Sequence, residues 1–420
     1  MGRSGAGCDQ ADGENEQGQQ PINTHCRRRT CQGNEVHSPP CGGSAGRGWS
    51  RWRRGRPGDP PGGQQHLGWR WWTGRRRSWR GPRRWRSQHR TRSWRSMAVA
   101  GVTGIGFGTW AWGNQVLWGY QPDRDDPVLV ETLQVAIASG LSLVDTADSY
   151  GTGRLNGRSE FLLGQGLDGL SAEERSRLTV ATKLAPFPWR LGRRGFVRAF
   201  QASRERLRGH CDRVQLHWST ARYAPWQEGP LLEGLADLVE AGQVAELGLS
   251  NVGPRRLRQM HACLQRRGVR ISSVQVQMSL LAPEPIAADG LAAVCRELGI
   301  ALLAYSPLAL GVLTLPPGAT IPACTRLRQG LFRRLLPGSE ALRQGLAAIA
   351  VTHGVSQAQV ALNWCRSHGA MPLPGVRRPA QASDVAAALT WQLSDQERAS
   401  LDELALSCPV RMPANPFQSA

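Results

Sequence analysis

From residue 104 onward the chain repeats one pattern: a short apolar run, then a longer stretch whose apolar positions recur three and four apart. The runs are "GIGFG" 104–108, "LSLVDT" 141–146, "LTVATK" 178–183, "RVQLHW" 213–218, "AELGLS" 245–250, "SSVQVQ" 272–277, "IALLAYS" 300–306 and "AMPLPG" 370–375. Such runs suit strands covered on both faces. Between them "DPVLVETLQVAIASG" 126–140, "GFVRAFQASRERLR" 195–208, "LLEGLADLVEAG" 231–242, "PRRLRQMHACLQRRG" 254–268 and "DGLAAVCRELG" 289–299 have helical periodicity. Gly140, Gly242, Gly268 and Gly299 stand where a helix-ending glycine belongs. Eight strand–helix alternations predict a (β/α)8 TIM barrel. An open dinucleotide-binding sheet is the runner-up, but its GxGxxG is missing: "GIGFGT" puts Thr109 where the third glycine should fall.

Residues 1–96 break the pattern. They are Arg, Trp, Gly and Pro in no period, as in "WRWWTGRRRSWRGPRRWRSQHRTRSWRS", and cannot bury enough apolar surface to offset chain entropy. The expectation is a disordered segment ahead of a domain over 97–420. Such an arm could bind RNA or single-stranded DNA by charge and stacking, or act as an Arg-rich targeting peptide. The favoured reading is a start placed too early, since Met97 directly precedes "AVAGVTGIGFGTWAWG", a natural opening for a compact domain. Nucleic acid is then a partner only if this segment is translated.

Charge changes the picture less than its total suggests. The formal net charge is +20, but 20 of the arginines precede residue 97 and leave the remainder with an ordinary balance. Cys211, Cys263, Cys295, Cys324, Cys365 and Cys408 form no CxxC pair or zinc-type spacing, so no metal is expected and they read as buried thiols. No apolar run reaches the about 20 residues of a membrane span, and the N-terminus lacks a secretory core. The expectation is a cytoplasmic protein, away from membranes.

In a barrel, chemistry sits where strands end. The ends here carry Asp145, Lys183, His217, Ser250 with Asn251, Gln275, Tyr305 with Ser306, and Gly375. Polar groups recur at one end of strands whose interiors are almost wholly aliphatic. Lys183 is the only lysine of the chain, against 51 arginines, and Tyr150, one of four tyrosines, follows Asp145 by five residues.

"DTADSYG", "ATK", "LHW", "GLSNV", "AYSPLALGVLT" and "PLPGVRRPAQ", in that order and spacing, resemble the aldo-keto reductases over roughly residues 101–408. "ATKLAPFPWRLGR" and "GTWAWGN" look nearest the plant-plastid and cyanobacterial branch. The resemblance implies a metal-free barrel that reduces small-molecule carbonyls to alcohols with NADPH, with Asp145, Tyr150, Lys183 and His217 as catalytic tetrad. The roles are chemically consistent. An alkoxide left by hydride transfer needs a general acid, and an ammonium beside a phenol lowers its pKa. A compact lysine can approach the phenol where arginine's fork would demand several acceptors. His217 would orient the carbonyl oxygen.

The resemblance also implies a cofactor grip: Ser250, Asn251 and Gln275 on the carboxamide, Tyr305 stacked on the nicotinamide, and Ser306, Leu308 and Gly311 near the pyrophosphate. Gly375, Val376, Arg377 and Gln381 would hold the 2′-phosphate, and the charge of Arg377 and Arg378 favours NADPH over NADH. Trp110, Trp118, Trp189 and Trp218 are expected to wall an aromatic-tolerant substrate pocket, and a pyridoxal-like aldehyde is thinkable. The chain departs from the family at Val274 and Met278, reads "HWST" for the common "HWP", and lacks "GKY" after "GVLT". The alternative function is a cofactor-binding regulatory or scaffold subunit of the same fold, like ion-channel β-subunits. Oligomeric state is beyond the sequence.

Overall fold

A computed structural model describes residues 104–419, and the expected low-complexity segment 1–96 lies outside them. Eight strands, β1 (Phe107–Gly108), β2 (Leu143–Asp145), β3 (Thr179–Leu184), β4 (Arg213–Leu216), β5 (Glu246–Ser250), β6 (Ile271–Gln277), β7 (Ala301–Tyr305) and β8 (Ala370–Leu373), follow in chain order. Each pairs in parallel with the next. Gly108 bridges Gly375 in parallel, and the Gly106 and Gly108 amides donate to the Pro372 and Pro374 carbonyls at 3.1 and 2.9 Å, bringing β1 back to β8. The closure depends on Gly106. A Cβ there would lie 2.6 Å from Leu373 Cδ2 and 2.7 Å from the Leu143 carbonyl oxygen.

The strands coincide with the apolar runs because both their faces are covered. β2, β4 and β8 are buried at every residue. The helices lie where periodicity placed them, with shifted boundaries. The first long one spans Pro122–Ala138 rather than starting at residue 126, since Pro122 at its first position supplies a helical φ and needs no N–H partner. It buries Leu129, Leu133, Ala136 and Ile137 along one stripe. Gly140, Gly242, Gly268 and Gly299 all have left-handed φ, from 64° to 91°.

Two additions to the plain barrel shape its C-terminal mouth. Between β7 and β8 the chain inserts helices Arg326–Leu335 and Glu340–His353 before Gln357–Ser367. Buried Arg343 pins the entry to that insertion by donating to the Pro316 carbonyl at 2.5 Å. After β8, helices Pro379–Ala387 and Asp395–Ser407 lead into an irregular tail. Inside the barrel a polar layer forms around Gln215 and Ser273, and Gly248 faces them because a Cβ would meet Gln215 Cγ at 2.8 Å and Ser273 Oγ at 2.9 Å. No helix of the described residues is long and apolar enough to cross a membrane.

Candidate active site

Asp145 closes β2, Lys183 sits near the end of β3, and His217 directly follows β4, so three neighbouring strands deliver them to one mouth. Tyr150 reaches the same point from the loop after β2, where its amide donates to the Ala147 carbonyl. The Lys183 ammonium donates to Asp145 Oδ2 at 2.5 Å, to the Thr146 carbonyl at 2.8 Å and to the Tyr150 hydroxyl oxygen at 2.9 Å. Three N–H donors meet three acceptors, which saturates an ammonium. The phenol oxygen accepts from Lys183, so its own hydrogen points elsewhere.

Asp145 is fixed from the other side. Its Oδ1 accepts from Gln215 Nε2 at 2.9 Å and Gln275 Nε2 at 2.8 Å, and its main-chain oxygen accepts from Thr109. The barrel's polar layer therefore aims the carboxylate, which aims the ammonium, which aims the phenol.

Burial works against the Lys183 ammonium, but the charge of Asp145 and the contact with Tyr150 override it and raise the lysine's pKa. Tyr150 corrects an expectation. Burial raises its pKa by more than Lys183 lowers it, with Asp145 adding to the rise, so the phenol stays protonated at neutral pH rather than drifting toward phenolate. Burial, reinforced by the charges of Lys183 and Arg190, holds His217 well below the usual imidazole range and therefore neutral. Its Nδ1 lies 3.3 Å from Ser149 Oγ, and its ring meets Tyr150 edge-on at 5.9 Å.

These groups open on a cleft of about 690 Å³. Ser250, Asn251, Gln275, Tyr305, Ser306, Leu308, Gly311, Gly375 and Gln381 all line it, as do Trp110, Trp118 and Trp218. Arg377 lies behind the lining: its guanidinium carbon is 5.9 Å from the Trp118 ring centre, and its amide donates to Gln381 Oε1 at 2.9 Å. Trp189 does not wall this cleft. It is 72% exposed and stacked on Phe187 at 4.7 Å, because the turn after β3 carries it past the rim. Gln275 faces the cleft, yet its amide nitrogen is engaged by Asp145. Asn251, Ser306, Ala309 and Leu310 adopt left-handed φ of 48–58°, a conformation that burdens non-glycine residues and clusters at functional sites.

Three contributors escaped the sequence reading. Gln215, on β4, is the ladder partner of Lys183 on β3 and lies two residues before His217, a period-two signal that was there to be read. Arg328, from the inserted helix, lies 4.3 Å over the Trp118 ring, donates to the Leu310 carbonyl and lines the cleft. Residues 412–417 of the tail line it as well, with Phe417 stacked on Trp218 at 4.5 Å. "RMPANPF" has no period that would announce this. Among the described residues no three His, Cys, Asp or Glu side chains gather as a metal site.

Residues 104–406 match the model of the aldo/keto reductase family. Over 77% of its length the chain is 44% identical to the chloroplastic pyridoxal reductase of Arabidopsis thaliana, 88% of which is covered. It is 32% identical to an uncharacterized oxidoreductase of Mycobacterium tuberculosis, covering 73% of this chain and 90% of that one. An aldo-keto reductase from Klebsiella pneumoniae, solved in complex with NADPH, superposes with a TM-score of 0.55 at 27% identity, over 76% of this chain and 95% of that one. With a lysine held between carboxylate and phenol at the mouth of a parallel barrel, these likenesses have one meaning: the chain belongs to the aldo/keto reductase family and is an oxidoreductase.

Proposed function

We propose that the protein reduces a flat aromatic aldehyde of the pyridoxal type to its alcohol with NADPH, Tyr150 supplying the proton. The observation that carries the reading is the saturated Lys183 ammonium. Because the phenol oxygen accepts from lysine, its hydrogen is left to donate into the cleft. The neutral His217 carries one ring N–H and is the second donor in the tautomer where Ser149, 3.3 Å from Nδ1, donates to it and leaves the proton on Nε2. Two hydrogen-bond donors then converge on one carbonyl oxygen, polarising it before reduction and stabilising the charge that develops on it. Proton transfer from Tyr150 completes the alcohol, and Lys183 steadies the phenolate left behind.

The cleft suits a nicotinamide dinucleotide phosphate. Its length runs from Tyr150 to Gly375 and Gln381, with amide and hydroxyl groups of Ser250, Asn251 and Gln275 near the tetrad and the strained 306–311 turn further along. Gly311, at φ 103°, holds a conformation that strains residues with a side chain, and a Cβ there would sit 3.2 Å from Arg328 Nη2. Arg328 and Arg377, whose guanidinium carbons lie 4.3 and 5.9 Å from the Trp118 ring centre, supply cations suited to phosphate. When bound there, the cofactor supplies a hydride to the carbonyl carbon. Trp110, Trp218 and Phe417 make the substrate end aromatic, which suits a planar ring, whereas Trp118 packs against Arg328 and Arg377; the plant relative bears the name of a pyridoxal reductase. The six described cysteines are free thiols, which accords with the cytoplasm as compartment; fractionation of source cells checks this.

NADPH oxidation followed at 340 nm with pyridoxal and a panel of aldehydes tests the reading. Tyr150→Phe should lower kcat by about 10²–10⁴-fold and leave NADPH affinity within about threefold. Wild-type turnover by that variant removes Tyr150 as the acid. NADPH binding without turnover of any aldehyde supports a regulatory subunit instead.

A further inference from the structure

We propose that the chain's own C-terminal tail competes with the cofactor, the Asn415 carboxamide standing where the nicotinamide carboxamide is to be held. The inference rests on the reading that Asn251 and Tyr305 grip the nicotinamide. Asn415 Nδ2 donates to Asn251 Oδ1 at 2.9 Å and to the Tyr305 hydroxyl oxygen at 2.8 Å. Tyr305 in turn donates its hydroxyl hydrogen to Asn251 Oδ1 at 2.9 Å.

Lone pairs limit what Asn251 can accept. Asn251 Nδ2 donates its two hydrogens to the His217 carbonyl at 2.9 Å and to Ser250 Oγ at 3.2 Å, so its Oδ1 is what it offers a ligand. A carbonyl oxygen has two lone pairs, and Tyr305 and Asn415 take both. A carboxamide N–H arriving from a nicotinamide meets a filled acceptor until Asn415 leaves. The exchange is one primary amide for another, which is why the same pocket accepts either.

The tail is held firmly enough to occupy the site and lightly enough to go. Its main chain is tied at three points, Met412 N to the Leu281 carbonyl at 2.8 Å, Ser419 N to the Asn251 carbonyl at 3.1 Å, and the Pro416 carbonyl accepting from Arg222 Nη1 at a long 3.5 Å. Phe417 stacks on Trp218 but remains 48% exposed. Segments with few buried contacts open at little free-energy cost. An occluding tail lowers apparent cofactor affinity by the fraction of time it is in place.

The test uses the full chain and two readouts independent of turnover. NADPH affinity is measured by quenching of tryptophan fluorescence in wild type and Asn415→Ala. Two neutral hydrogen bonds, each worth a few-fold, give about tenfold tighter binding in the variant. In wild type, hydrogen exchange at the amides of Met412 and Ser419 should accelerate when NADPH is saturating. Unchanged or weaker NADPH binding by Asn415→Ala overturns the proposal, as does slower exchange in the tail with NADPH, which would make the tail a closing piece of the bound state. Should neither protein bind NADPH, the cofactor reading fails first and this inference with it.

Discussion

Lys183 is the sharpest place to test the site, because its surroundings are filled on every side. The side chain is 1% exposed, and its three N–H groups match the Asp145, Thr146 and Tyr150 acceptors one for one. In Lys183→Arg the charge is kept but a five-donor guanidinium replaces the three-donor ammonium. At least two N–H groups then lack acceptors, at ~1–3 kcal/mol each, and the larger head overpacks the site by a similar amount, a destabilisation of roughly 3–9 kcal/mol. If the site relaxes instead, the Tyr150 oxygen moves by about 1 Å, enough for a loss on the order of 10²-fold in rate. Lys183→Met keeps the length and removes the charge, stranding Asp145 at about 3–5 kcal/mol. The assay is steady-state NADPH oxidation with pyridoxal alongside thermal unfolding of each variant. Both should lose at least 10²-fold in kcat, and Lys183→Arg should melt well below wild type. A Lys183→Arg enzyme within fivefold of wild-type kcat, with unaltered melting, would refute the matching of donors to acceptors.

Two further outcomes follow from charge. His217 is held neutral with a pKa below that of the unfolded chain, so below pH ~6.5 the unfolded state binds a proton that the folded state refuses. Its contribution is present above that pH and is lost as pH falls, by up to about 1.4 kcal/mol per unit; denaturant titrations from pH 7 to 5 should show this slope, and His217→Gln should flatten it. Arg377, whose pKa is lowered by burial despite Asp125 nearby, gains from an anionic partner. Arg377→Ala should weaken NADPH binding by about tenfold or more and leave NADH binding nearly unaltered; calorimetry with both nucleotides distinguishes this from a general loss of the fold.

Local rules determined much of this protein. Continuous apolar runs became strands because a parallel barrel buries both strand faces, and glycines after amphipathic stretches became left-handed helix ends because other residues resist that φ. Polar residues at the ends of those runs, with a single lysine among them, marked the mouth that carries the site. What sequence order leaves open is which side chain ends beside which across long separations. Gln215 and Gln275 clamp Asp145 from strands 70 and 130 residues away. Arg328 comes over Trp118 from an insertion without a family motif, and Asn415 reaches Asn251 across 164 residues. Burial too is a collective property: it sets the Tyr150 phenol above its ordinary pKa although its nearest partner is a cation, while Trp189 stays exposed although it sits in a motif of the site. Periodicity and turn chemistry act over a few residues and can be read along the chain. Desolvation, donor counting and the seating of a tail depend on closed three-dimensional packing, and only the barrel decides them.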